Sequence, residues 1–250
     1  MSKKRPVNIA ASVRQRLLDK ARTDKRTFSE LLQYFAMDRF LYRLSKSVHA
    51  DKFILKGALM LRAWQTPLFR PTMDIDMLAY QTSNEVLEVV SLIKSICLAE
   101  VDPDGLEFDS QSVQGEKIVE DADYEGVRVL FSGKLDTARV RMQIDIGFGD
   151  VIYPAPQDTQ LPPILNFPPA CLTGYSLESA IAEKFQAMIK LDALNSRMKD
   201  FYDIWLLSRQ FNFQNLEEVI QQVRLFLEPA SSGLLTATKI DLQWKAEPWK

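Results

Sequence analysis

Two segments of this chain share one pattern, apolar side chains at every second position with acids among the positions between. In TMDIDMLAY, at 72–80, Met73, Ile75 and Met77 alternate with Thr72, Asp74 and Asp76. Within 137–148, Val140, Met142, Ile144 and Ile146 alternate with Arg139, Arg141, Gln143 and Asp145. Successive side chains of a strand point to opposite faces, so each segment is expected to be a strand with one buried face and one face carrying acids. Half-buried strands need a sheet, and the apolar face of that sheet needs a covering layer.

Helices are available to cover it. Across 9–47, Val13, Leu17 and Leu18, then Phe28, Leu31, Leu32, Phe35, Phe40 and Leu41, recur at three- and four-residue spacing. Thr27 or Ser29 suits the N-cap of the second helix, with Glu30 in its first turn. FILKG at 53–57 reads as a buried strand ending in a tight turn, and ALMLRAW after it as a helix. Residues 83–98 have helical spacing behind a possible Ser83 cap. Residues 117–131 and 137–148 are expected as two strands around a turn at Ser132-Gly133-Lys134. Six prolines between 154 and 169 predict an extended connection. Helices follow at 176–194, opened by Ser176, from about 197–200 through FYDIWLLSR, and at 215–227. The order predicts an α+β fold: a helical segment at 1–50, a core at 51–155, and a mainly helical part at 156–250.

With 250 residues the chain is long enough to bury a sizeable core. No apolar run approaches the roughly 18–20 residues that span a bilayer, and no apolar stretch follows the charges of MSKKRPVN, so neither a membrane span nor a signal peptide is expected. Two cysteines, Cys97 and Cys171, point to a reducing compartment, with the cytoplasm as the expected location. A net charge of -2 argues against a protein that coats nucleic acid with its whole surface. Basic residues are nevertheless dense from Lys3 to Lys46, including Arg14, Arg16, Lys20, Arg26, Arg39 and Arg43. They read either as a solvated helix face or as a platform for RNA or nucleotide phosphate.

Asp74 and Asp76 lie two apart on one strand face, about 6.5–7 Å from each other at the backbone. Carboxylates so placed repel unless a cation sits between them, and magnesium prefers such oxygen ligands. Asp145, on a later strand with the same alternation, is a candidate third ligand or a base toward an incoming hydroxyl. Taken singly, Asp145 reads equally as an acid on an exposed strand face, and a D-x-D alone more often merely decorates one. Lys56-Gly57 joins a strand to a helix, where glycine permits close approach of a phosphate; the alternative is a simple tight turn. Arg70 and Thr72 precede the acids: Thr72, on their face, is a candidate contact to a metal-bound phosphate, and Arg70 reads either as neutralising charge or orienting the acids, or equally as a structural ion pair. In the helical part Lys184 interrupts an apolar helix, and Arg197, Lys199, Asp200 and Asp203 crowd the start of the next. His49 is the only histidine, which leaves zinc or a Ser-His-Asp triad without support.

Together, LKGALMLRAW, RPTMDIDML, QIDIGFGD, LESAIAEKFQAM and RMKDFYDIW resemble the AbiEii/AbiGii-type nucleotidyltransferase toxins, in that family's order over roughly residues 10–225. The resemblance implies a polymerase-beta-like nucleotidyltransferase core, a mixed sheet with flanking helices, followed by a helical C-terminal domain. It implies magnesium or manganese as cofactor and an NTP as substrate. Gly57 with Asp74 and Asp76 would form the nucleotide-and-metal motif, and Asp145 the third acid. Lys184 would contact the phosphates, and Asp200 would be the acid of the last motif. It further implies a toxin with a cognate antitoxin and an RNA acceptor, such as the 3′ end of tRNA. A protein or small-molecule hydroxyl as acceptor, or a non-catalytic binding module, are the alternatives. The chain departs from the family in having Gly57-Ala58 where many nucleotidyltransferases have Gly-Gly or Gly-Ser, and no likeness is evident after Leu227.

Overall fold

In a computed structural model of the chain, the structure describes residues 8–66, 71–119, 125–150, 152–191 and 198–211. Helices α1 (Ile9–Asp24) and α2 (Phe28–Lys46) come first, then β1 (Phe53–Lys56), the short α3 (Leu59–Ala63), β2 (Ile75–Ala79) and α4 (Val86–Cys97). Strands β3 (Leu106–Val119), β4 (Glu125–Leu135), β5 (Ala138–Phe148), β6 (Gln157–Leu161) and β7 (Ala170–Gly174) follow, then α5 (Leu177–Leu191) and α6 (Met198–Gln210). The strands form one mixed sheet in the order β3-β4-β5-β2-β1-β7-β6. Strands β2 and β5 pair in parallel, as do β1 and β7, and the remaining neighbours are antiparallel. The mixed α/β architecture expected from the sequence is thus present. The expected helix at 215–227 lies outside the described residues.

One face of the sheet holds the core. Val127, Val129 and Phe131 of β4 and Val140, Met142, Ile144 and Ile146 of β5 are buried in a single cluster with Leu31, Phe35 and Phe40 of α2. Phe40 meets Phe131 and Phe108 at ring-centroid distances of 5.3 and 5.9 Å. Helix α2 is the central helix: thirteen of its nineteen residues are buried. Thr27 caps it by accepting from the Glu30 N–H (3.2 Å).

Burial on that scale draws in charged residues, and each finds a partner. Arg43 donates through both terminal nitrogens to Asp104 (2.7 and 3.1 Å) and also to the carbonyl of Leu106 (3.0 Å). Asp38 accepts from Arg62 (2.7 Å) and from the Ile164 N–H (2.7 Å). Arg39 donates to the Pro168 carbonyl (2.7 Å) and stacks over Phe167. The basic N-terminal stretch therefore does not form one surface. Arg39 and Arg43 are core residues, while Lys20 pairs with Asp24 (2.9 Å) and Arg26 with Glu30 (2.6 Å).

Four local expectations are corrected. The β4–β5 turn is the two-residue loop Asp136-Thr137, with Asp136 at φ 55, and Ser132-Gly133-Lys134 lies inside β4. Glycine at 133 marks close packing, since a Cβ there would stand 3.1 Å from Phe108 and 3.2 Å from Val140. The proline-rich stretch carries β6 and β7, with its prolines outside both strands. Met73 is 55% exposed because β2 begins two residues later. Ser83 accepts from the Glu85 N–H ahead of α4, whose N-cap is Glu85. Ser176 caps α5 as expected, accepting from the Ser179 N–H (3.1 Å).

Candidate active site

The face away from α2 carries the acids. Parallel pairing sets Asp76 directly opposite Asp145, and antiparallel pairing sets Lys56 opposite Asp76 and Arg128 opposite Asp145. Directly opposed residues share a face. A charged row therefore crosses four neighbouring strands in the order Lys56, Asp76, Asp145, Arg128. Asp74, just ahead of β2, joins it: Asp74, Asp76 and Asp145 each offer an oxygen within 4.8 Å of the others.

Each acid has its own support. Thr72 donates its hydroxyl to Asp74 (2.5 Å), and its own N–H reaches the Tyr34 hydroxyl (3.0 Å). Asp145, buried, accepts from Arg128 Nε and Nη2 (2.8 Å each) and from Gln143 Nε2 (3.1 Å). Among the described residues, no such donor reaches Asp76. Burial pushes its carboxyl up to about 7, with Asp74, Glu183 and Asp145 adding to the effect and Lys56 opposing it.

Gly57 stands beneath Asp76 at φ +71, and a Cβ there would overlap the Asp76 carboxylate, 2.6 Å from its Cγ. Glycine is required twice over, for the left-handed backbone and for the space. Helix α3 after it is only five residues long, so its dipole adds little. Lys56 Nζ donates to Glu183 of α5 (2.6 Å) and to Asp150 (3.2 Å), and Asp150 also accepts from the Tyr175 hydroxyl (3.3 Å). Burial opposes the charge on Lys56, but Glu183, Tyr175 and Asp150 outweigh it and hold the amine well above the usual lysine value.

The donor set fits a hard divalent cation. Three carboxylates converge, each offering an oxygen ligand within 4.8 Å of the others. Asp74, Asp76 and Asp145 could hold such an ion.

The other residues singled out from the sequence are placed differently. Lys184 is buried and bonded to Asp203 (2.9 Å) and Asp200 (3.4 Å), tying α5 to α6. Lys199 is exposed on α6. Arg70 and Arg197 lie outside the described residues. Glu183, Asp150, Tyr175, Arg128 and Gln143 are neighbours of the acids to which the sequence assigned no role. The clue for Glu183 was a charge beside Lys184 in an apolar helix. For Arg128 there was none without the strand register.

A family model for the nucleotidyl transferase AbiEii toxin, of type IV toxin–antitoxin systems, matches residues 39–244. The chain belongs to that family. It is a nucleotidyltransferase, and the match runs past Leu227, where the evident likeness of motifs ends. Among solved structures it is similar to MenT4, a nucleotidyltransferase toxin from Mycobacterium tuberculosis H37Rv, with TM-score 0.51 and 18% identity over 86% of this chain and 68% of that one. It is also similar to JHP933 from Helicobacter pylori, with TM-score 0.46 and 16% identity over 76% and 71% of the two chains. At 18% identity the MenT4 likeness speaks for the fold alone. Comparison with curated proteins returns no match. Among the described residues, no helix of this nucleotidyltransferase is long and apolar enough to cross a membrane.

Proposed function

We propose that this nucleotidyltransferase transfers a nucleoside monophosphate from an NTP to the terminal hydroxyl of an RNA, such as the 3′ end of tRNA. It would use magnesium held by Asp74, Asp76 and Asp145, act in the cytoplasm, and form the toxin half of a pair with an antitoxin. The observation that carries the reading is the convergence of three carboxylates, on the paired strands β2 and β5 and just ahead of β2, beside the glycine turn.

Held by Asp74, Asp76 and Asp145, a divalent metal would supply positive charge to offset that of the reacting phosphate. The acceptor oxygen forms a bond to the α-phosphorus, the bond to pyrophosphate breaks, and a carboxylate of the cluster takes the hydroxyl proton. Thr72 orients Asp74, and Arg128 with Gln143 orients Asp145. Gly57 keeps space open beside Asp76. Lys56, Lys184, Lys199 and Arg70 are the cations assigned to phosphate. Lys184 would exchange a carboxylate partner for phosphate, and Asp200 would hold it until then.

The test is to incubate purified protein with total tRNA, magnesium and each labelled NTP in turn, beside Asp74→Ala. Label on tRNA that is absent with the variant supports the reading and names the nucleotide. No label with any NTP, from folded protein that binds NTP, sinks the RNA acceptor.

A further inference from the structure

The acid-bearing face of the sheet continues along the β4–β5 hairpin, away from the helices. On β5 the residues of that face are Arg139, Arg141, Gln143 and Asp145. On β4 they are Lys134, Ser132, Leu130 and Arg128, each opposite its β5 counterpart in that order. Lys134, Arg139 and Arg141 are exposed, and among the described residues none of them makes an ion pair. Leu130 is 42% exposed on the same face, opposite Gln143. Beyond β4, the facing positions of β3 carry Glu107 opposite Lys134, Asp109 opposite Ser132 and Glu116 opposite Arg128. The face is therefore cationic along the hairpin and acidic along its outer edge.

We propose that this face is the track for the acceptor, a single-stranded polynucleotide lying along β5 with its 3′ end at Asp145. The proposal rests on the RNA-acceptor reading and specifies where the acceptor lies. Arg139 and Arg141 are two residues apart, about 6.8 Å on an extended strand. That spacing is comparable with the phosphate repeat of an extended single strand. From Arg139 to Asp145 the strand rises about 20 Å, room for the last few nucleotides before the reacting hydroxyl. Lys134 and Arg139 form one cationic pair across the hairpin, and Arg141 is the next step toward the acids. The exposed Leu130 offers apolar contact for a sugar or base. The acids of β3 repel an anionic strand that drifts outward and so keep it on β4–β5. The exposed cations of α1 are differently placed, interleaved with Asp19 and Asp24.

The experiment compares wild type with Arg139→Gln/Arg141→Gln, and with Lys134→Gln added, on total tRNA and the NTP that labels it. Arg22→Gln/Lys25→Gln on α1 is the control. The expected result is a rise of at least about 10-fold in KM for RNA, with KM for NTP and the melting temperature unchanged. The salt dependence of RNA binding should also flatten, by a slope of about 0.7 for each phosphate of a single strand that the variant no longer neutralises. The α1 control should behave as wild type. Labelling of RNA by wild type with no change in RNA KM or salt slope in the hairpin variants overturns the track while leaving the RNA reading intact. Failure of wild type to label any RNA overturns both. A melted hairpin variant would be replaced by Arg141→Glu alone, read by the same two measurements.

Discussion

Two arginine–aspartate pairs in this protein have nearly the same geometry and opposite surroundings. Arg43 and Asp104 meet through two hydrogen bonds with side chains 8% and 2% exposed, pinning α2 to the entry of β3. Arg128 and Asp145 also meet through two, but with side chains 34% and 10% exposed, at the edge of the acid cluster. The first pair ties α2 to β3 and satisfies charges that the burial of α2 took from water. The second holds a carboxylate of the acid cluster, beside solvent that can replace the arginine's share of its solvation. The same contact serves stability in one place and readiness in the other, and burial decides which.

The comparison breaks most forcefully at the buried pair. Asp104→Ala leaves the Arg43 guanidinium buried without its partner and is expected to cost about 3–5 kcal/mol in urea unfolding. Arg43→Met/Asp104→Leu should recover most of that stability, because an apolar pair of similar volume needs no solvation. A double variant as unstable as the single one would mean that the pair does more than satisfy its own charges.

Asp145→Asn should do the reverse. Nucleotide transfer is expected to fall at least about 100-fold, beyond what removing a partner behind a metal ligand costs, while the urea midpoint stays close to wild type. Arg128→Met is milder: a drop of about 10–100-fold in transfer and less than about 1 kcal/mol in stability, as expected for an ion pair in contact with solvent. Arg128→Lys should rescue little, since an ammonium cannot make two parallel bonds to one carboxylate. Normal kcat with a raised KM for NTP would instead make Arg128 a phosphate ligand.

The smallest effect sharpens the contrast through pH. Asp76 differs from both, with no arginine partner among the described residues, and its carboxyl is raised to about 7 from an ordinary value of 3.8. Over that window the folded protein binds a proton that the unfolded chain releases, so this group's contribution to stability falls as pH rises from about 4 to 7. Metal-free protein should therefore melt a few degrees lower at pH 8 than at pH 5.5. Asp76→Asn should flatten the difference, and magnesium should reduce it in wild type. Identical pH profiles for wild type and variant would show that other groups set the dependence.

What the sequence made legible follows from periodicity. Ile75, Met77, Ile144 and Ile146 announced two half-buried strands, and with them the shared face of Asp74, Asp76 and Asp145. The helices of the N-terminal stretch were equally plain. Arg128 was invisible for a specific reason. A turn centred on Gly133 would set Arg128 opposite Ala138, whereas the true turn at Asp136-Thr137 sets it opposite Asp145. Register, unlike alternation, depends on one short loop, and the glycine that mimicked a turn was there to admit Phe108 and Val140. Strands β6 and β7 escaped because prolines crowd their flanks. Arg39 and Arg43 looked like surface cations because nothing local says that a helix will be buried all round.

The pairing of β2 with β5 also gives the site a place in the life of the chain. Asp76 and Asp145 are brought together across about 70 residues of intervening sequence. A nascent or truncated polypeptide that stops before β5 carries Asp74 and Asp76 but has no strand to complete the cluster beside them. The cluster is therefore complete only once β5 has been made and has docked in register. A one-residue slip in that docking would turn Asp145 toward the core and leave the cluster one acid short.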